Sequence, residues 1–206
     1  MEDVLDLYAE PPDPRRPVVC VDERPYQLTA DATPPLPLAP GRPRRVDFEY
    51  RRGGTCSLLV LFHPAAGWRH VAVSDRRTRA DFARWMRDLV DVHFPEAEVV
   101  RVVLDNLNTH TPAALYAELP PAEARRITRR LEFHYTPPHG SWLNQAELEI
   151  AALARQCLGT RRLADPAALQ REIDAWQHAR NTARATVDWR FTTDHARTKL
   201  ARLYPS

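Results

Sequence analysis

The amino-acid sequence predicts an α/β domain whose central sheet mixes antiparallel and parallel strands and is flanked by helices. Two short, unbroken apolar runs, PVVCVD (17–22) and AEVVRVVLDN (97–106), have the character of strands buried on both faces, as in parallel sheets. Between them lie segments with the alternation of antiparallel strands, and helical periodicities separate and follow the strands. A chain of 206 residues, 44% hydrophobic and 27% charged, is long enough to bury one core of this kind.

Taken in order, residues 1–16 read as a lead-in or linker to a domain spanning 17–206. The first strand ends on Asp22, with Glu23 turned to its other face. The proline-rich TADATPPLPLAPGRPRR (29–45) reads as an extended, irregular connection and a candidate contact arm. RVDFEYRR, a Gly53-Gly54 turn and TCSLLVLFH read as an antiparallel hairpin, and GWRHVAVSD adds a further strand. Thr78 and Asp81 have capping-box spacing, and Phe82, Trp85, Met86, Leu89 and Val90 recur at helical intervals up to Pro95. The strand at 97–106 ends on Asp105. Pro120-Pro121 splits two short helices, LEFHYTPP is a strand, 142–158 is a long helix, Asp165-Pro166 starts another, and a last one begins near Thr193.

Composition narrows the class of protein. No run approaches the roughly 18 apolar residues of a membrane span, and the N-terminus is acidic and proline-containing, unlike a secretory signal, so a cytoplasmic location is expected. Cys20, Cys56 and Cys157 are odd in number and lack CxxC spacing, against both a disulfide framework and a structural zinc site. Of 29 basic residues only Lys199 is lysine, leaving 28 arginines. Arginine suits bidentate phosphate contacts, although a GC-rich genome would favour the same usage. The net charge of +2 does not by itself announce a nucleic-acid binder.

Asp22 and Asp105 stand at the carboxyl ends of the two buried strands, where α/β sheets place ligands. Asp also commonly ends or turns a strand for purely local reasons. If the acids do converge, their repulsion calls for divalent cations, and all-oxygen donors select Mg2+ or Mn2+. A pair of such ions roughly 3.5–4 Å apart is the device of metal-assisted phosphodiester cleavage. A third acid comes from the helix at 142–158, which offers Glu147 and Glu149. Ile150, Ala151, Ala154 and Leu158 lie on the Glu147 side, whereas the stripe beyond Glu149 turns polar. Glu147 is therefore expected to face inward, with Glu149 about 200° around, nearer the outer edge.

The segments VVCVDE, VVLDNLNTH and HYTPPHGSWLNQAELEI, in this order, together with the C-terminal RATVDWRFTTDHARTKLARLYPS, resemble the insertion-sequence-630 type transposases of the mariner-like superfamily. The resemblance covers practically the whole chain and implies a ribonuclease H-like fold with an Asp-Asp-Glu catalytic triad. The matching positions are Asp22, Asp105 and Glu147, separated by 82 and 41 intervening residues. It further implies two Mg2+ (or Mn2+) ions on those three residues, cleavage at transposon ends, transfer of the freed 3′-OH to target DNA, and a homodimer as the active complex. Members of the family usually carry an N-terminal helix-turn-helix region. Only MEDVLDLYAEPPDP precedes the catalytic half here, so the DNA-end reader is expected to be missing from this sequence, which reads either as the second product of a split reading frame, with a separate helix-turn-helix chain as its partner, or as a truncated copy.

Around the triad, Glu23, Asn106, His110, His139 and Asn144 are candidates for supporting the acids or lining the site, and each also has a local reading as a turn or strand-end residue. His110, His134 and His139 lack paired zinc-ligand spacing. Arg125, Arg126, Arg129 and Arg130 are a candidate phosphate track, with Trp142 as a further DNA contact; solvated surface charge and a packing indole are the alternatives. Two other readings of the whole chain remain: a ribonuclease H-like nuclease acting on hybrids or branched DNA, and a non-catalytic transposase remnant that serves as an interaction module.

Overall fold

The computed structural model describes residues 1–107 and 110–204. Asn108 and Thr109 of the VVLDNLNTH motif, and Pro205 and Ser206 of the C-terminal segment, lie outside the described residues. The elements are α1 (Glu2–Ala9), β1 (Val18–Asp31), β2 (Tyr50–His63), β3 (Trp68–Ser74), α2 (Arg79–Asp88), β4 (Val100–Leu104), α3 (Pro112–Glu118), α4 (Pro121–Thr128), β5 (Leu131–Tyr135), α5 (Ala146–Leu153), α6 (Pro166–Thr182) and α7 (Thr193–Lys199). One five-stranded sheet has the order β3-β2-β1-β4-β5. β1 pairs antiparallel with β2, and β2 with β3; β4 runs parallel to β1, and β5 to β4. This is the mixed α/β sheet expected from the sequence.

Period-two alternation divides the sheet between two cores. Cys20, Leu58, Val60, Phe62 and Val103 face the layer that contains α1, α5, α6 and α7. Val19, Val21, Leu59, Leu61, Val102 and Leu104 face α2, α3 and α4. The edge strand β3 is closed by side chains of α6. Gln177 and Gln170 accept from the amides of Val71 and Val73 at 2.8 and 2.7 Å, and Asn181 bonds both backbone groups of Arg69 at 2.8 Å. Backbone groups that would otherwise template another strand are thereby satisfied.

Three elements differ from the sequence reading. Residues 1–16 are not simply a linker, because α1 buries Val4, Leu5 and Leu7 in the core. Its residues are also tied to the far end of the chain, with Thr193 donating to Asp6 at 2.7 Å and Arg197 gripping Glu2. The Gly53-Gly54 pair is not a hairpin turn. β2 runs straight through it as a bulge opposite β1, where the register shifts between Gln27 and Thr29. Gly54 takes φ +104, open to glycine at no steric cost, so the pair absorbs an extra residue instead of reversing the chain. The hairpin connection is therefore the 32–49 stretch, which carries isolated bridges at Leu36–Arg45 and Ala39–Arg42. Finally, α5 starts at Ala146 after a 3-10 turn at Ser141–Leu143, and its C-terminal part, Ala154–Leu158, is π-helical.

Candidate active site

Asp22 shares the face of β1 with Cys20, the side of the sheet covered by α5. Asp105 follows directly on β4, the parallel neighbour of β1. Glu147 sits in the first turn of α5. Burial pushes the Asp22 carboxyl up to about 7, the negative charges of Glu147 and Asp105 add to this, and the Glu23 amide, donating to Asp22 Oδ1 at 2.8 Å, opposes it. The charges of Glu147 and Asp105 thus both bear on Asp22, which lies just past the last β1–β4 pair, Cys20 with Val103.

The approach to α5 is built tightly. His139 adopts a left-handed φ of +61, and the Gly140 amide returns to the Pro137 carbonyl at 2.8 Å. A Cβ on Gly140 would lie 2.6 Å from Pro137 Cγ, so no larger residue fits there without displacing the proline. Leu143 is fully buried beyond this turn. Asn144 then binds in two directions: its Nδ2 donates to the Val21 carbonyl at 2.9 Å, and its Oδ1 accepts from the Ala146 amide at 3.1 Å. One buried side chain thereby joins the residue before Asp22 to the first turn of the helix that carries Glu147.

Asp105 is held from the other face. His110 is buried, stacks on Phe82, and places Nδ1 2.6 Å from Asp105 Oδ1 and Nε2 3.3 Å from Glu23 Oε1. Burial alone would lower its pKa, but the bonds and charges of the two carboxylates prevail and raise it to about 9. An imidazolium between Asp105 and Glu23 neutralises part of the acidic cluster. As they stand, no three His, Cys, Asp or Glu side chains among the described residues are gathered closely enough to cage an ion. The donor set is nonetheless the hard-oxygen set that suits Mg2+ or Mn2+. Burial is the chief cause of the raised Asp22 carboxyl, and the negative charges of Glu147 and Asp105 add the part that such a cation would relieve.

The remaining candidates divide. Trp142 is 44% exposed and packs edge-on against Phe191, while Asn106 and His139 are exposed beside the site. His134 bonds Asp3 and Glu132 and so fastens α1. The arginine cluster of α4 lies where β4 and β5 begin, opposite the acids. Arg126 is committed to Asp91, and Arg130 to the carbonyls of Phe94, Pro95 and Ala97. Only Arg125 and Arg129 of the four are exposed and make no ion pair among the described residues.

Glu149 is the largest departure from expectation. It is not at the outer edge of the helix: it is 1% exposed and lies between Arg69 of β3 and Arg180 of α6. The buried face of α5 contains Ala146, Glu149, Ile150, Ala152 and Leu153, and Ala151, counted as apolar in the sequence, is exposed. Glu147 sits at the margin of that face, half-buried. Alanine does not discriminate inside from outside, and arginines 80 and 31 residues away give no local signal.

A mixed sheet with one acid on β1 just past its pairing with β4, another directly after β4 and a third at the head of a following helix has the architecture of the ribonuclease H-like class. The sequence profile of the DDE superfamily endonucleases matches residues 17–170, and the chain belongs to that family. No curated protein matches. Among solved structures the fold is similar to the Mos1 mariner paired-end complex with Mn, at TM-score 0.57 and 17% identity over 85% of this chain and 52% of that one. It is also similar to the Mos1 strand transfer complex, at TM-score 0.56 and 17% identity over 85% and 51%. A third is the Mos1 transposase paired-end complex with left transposon end, at TM-score 0.56 and 18% identity over 85% and 52%. The chain spans about half the length of these structures. Among the described residues, no helix is long and apolar enough to cross a membrane.

Proposed function

We propose that this chain is the catalytic domain of a transposase, cutting DNA at transposon ends and joining the freed 3′-OH to target DNA inside the cytoplasm. The observation that carries this reading is the placement of Asp22 on β1 just past its last pair with β4, Asp105 directly after β4, and Glu147 in the first turn of α5, which packs on β1. Those residues would hold two Mg2+ or Mn2+ ions, which supply an activated water and stabilisation of the leaving 3′ oxygen. The chain's own contribution is orientation. Asn144 holds the start of α5 against β1, His110 fixes the Asp105 carboxylate, and Glu23 anchors His110 from the opposite face.

Two ends need two active sites, and a homodimer is the economical assembly. The 32–49 connection supports this, because Leu36, Leu38, Val46 and Phe48 are exposed along it, Phe48 at 86%. Arg42, Arg44, Arg45, Arg51 and Arg52 of the same hairpin make no ion pair among the described residues, which leaves them free to meet phosphates. Recognition of the ends would be supplied by a helix-turn-helix region, on this polypeptide or on a separate one.

The test is metal-dependent nicking and strand transfer on DNA carrying the cognate ends, with the end-recognising partner supplied. Wild type should cut only with Mg2+ or Mn2+, and Asp22→Ala, Asp105→Ala and Glu147→Ala should each lose at least two orders of magnitude. Undiminished activity in those variants would overturn the proposal. Equal cleavage of RNA–DNA hybrids without dependence on ends would reassign the domain to a general nuclease.

A further inference from the structure

We infer that the buried Arg69–Glu149–Arg180 cluster is a positioning device for Glu147, setting the rotation of α5 and thereby the placement of the third acid; this rests on the role proposed above for Glu147. Glu149 Oε2 accepts from Arg69 Nε at 3.1 Å and from Arg180 Nε at 3.3 Å, and its Oε1 accepts from Arg180 Nη2 at 2.7 Å. Arg69, whose side chain is 0% exposed, continues into the carbonyls of Gly67 and Ala185 and the Asn181 amide oxygen. One carboxylate therefore pins α5 to β3 and α6 together.

The geometry explains why such a fastening is placed there. α5 is only eight residues long before its helical pattern changes, and Ala146, Ala151 and Ala152 make up much of it. Of its buried side chains only Ile150 and Leu153 are large and apolar, which leaves few interlocking contacts to set its rotation. A 20° rotation at the roughly 5–6 Å outer radius of a helix displaces a side-chain tip by about 2 Å. Ligand distances in a metal site are held to about 0.2 Å. Asn144 fastens the chain before α5, and Glu149, two residues from Glu147, is the polar fastening within the helix that opposes such a rotation.

Stability is a poor account of the cluster. Two arginines and a glutamate removed from water must recover a large desolvation cost, and apolar residues of similar volume often serve the fold as well or better. An arginine–carboxylate fork on two separate elements does supply directional constraint, which apolar packing does not.

The experiment compares wild type, Glu149→Gln, Glu147→Gln and the remote packing variant Ile127→Val, all at a temperature where each is folded by circular dichroism. Mn2+ titration by calorimetry and cleavage kinetics on end DNA are the readouts. Glu149→Gln should raise the half-saturating Mn2+ concentration at least tenfold and lower kcat, with KM for DNA within twofold of wild type. Ile127→Val should lower the melting temperature without changing the metal constant. If Glu149→Gln melts earlier but keeps the wild-type metal constant and kcat, the cluster is structural only and the inference is overturned. Should Glu149→Gln fail to fold, Arg180→Gln, which leaves the Arg69 pair in place, is read in the same way. A wild type that neither binds Mn2+ nor cuts, or a Glu147→Gln that behaves as wild type, would instead refute the assignment of the acids themselves.

Discussion

The Asn144 side-chain amide donates to the backbone carbonyl of Val21 at 2.9 Å, which ties the start of α5 to the residue immediately before Asp22. The same side chain accepts from Ala146, and its backbone carbonyl accepts from Glu147 at 3.1 Å. Asn144→Ser keeps an oxygen for the Ala146 amide but cannot reach Val21. Losing a buried hydrogen bond and leaving its partner unsatisfied costs about 1–3 kcal/mol. Chemical denaturation of this variant should show a loss of that size. A midpoint equal to wild type would mean that water replaces the amide and that Asn144 is not the strut described here.

Glu147 and Glu149 are predicted to fail in opposite ways. Removing the carboxylate of Glu149 strands Arg69, and partly Arg180, in the interior, and breaking a buried pair in this manner costs about 3–5 kcal/mol. Glu149→Ala should therefore be the most destabilised of the acidic variants. Glu147→Gln should melt at or above the wild-type temperature without metal, since it removes one charge from a repelling group, and should have no cleavage activity. Thermal melts and nicking assays on both proteins decide the matter. Equal melting temperatures would show that the two faces of α5 are wrongly assigned.

What was legible in the sequence follows from how local each cause is. The capping box of Thr78 and Asp81, the Asp165 cap of α6 and the apolar strand leading to Asp105 are all present, because each depends on neighbours within a few residues, whereas the first strand does not end on Asp22 but runs on to Asp31 through its pairing with β2. α1 is not legible in the sequence because its eight residues carry little helical signal, and it is held by docking on α7 and β5. Gly53-Gly54 is ambiguous in the sequence because a bulge and a tight turn both favour glycine. The alanine stripe beyond Glu147 does not mark the buried face of α5, so apart from the family resemblance the sequence carries no signal that separates Glu147 from Glu149. His110 was legible as a residue near Asp105, whereas its bridge to Glu23 needed the fold.

Stability should respond to pH through Asp22. Its carboxyl lies near 7 in the folded chain against about 3.9 unfolded, so the fold binds that proton more tightly. The resulting contribution is fully present below about pH 4 and lost as pH rises through about 7. Asp22→Asn, which cannot ionise, should therefore melt above metal-free wild type at pH 8, with the gap closing by pH 4. Adding Mn2+ at pH 8 should raise the melting temperature of wild type and leave Asp22→Asn nearly unmoved. A gap that is the same at both pH values would show that Asp22 is solvated and ordinary, and would remove the electrostatic case for a cation at this point.

Assembly should depend on the hairpin connection more than folding does. The ends of that connection are structural: Arg162 pairs with Asp31 at 2.7 Å and bonds the Glu49 carbonyl at 2.8 Å, and Thr29 is held by Leu163 at 3.0 Å. The arm of residues 29–45 expected from the sequence therefore begins too early, and a useful deletion removes 34–46 and bridges with glycine and serine. The segment contributes exposed Leu36, Leu38 and Val46 but no residue of the two cores, so its loss should change the melting temperature by no more than a few degrees. If the arm reaches a second copy or DNA, the shortened chain should shift to lower mass in light scattering with end DNA present. Its DNA affinity should also depend less steeply on salt, because three of the unpaired arginines, Arg42, Arg44 and Arg45, leave with it. An unchanged mass and an unchanged salt slope would together show that the exposed apolar residues of the arm meet neither partner.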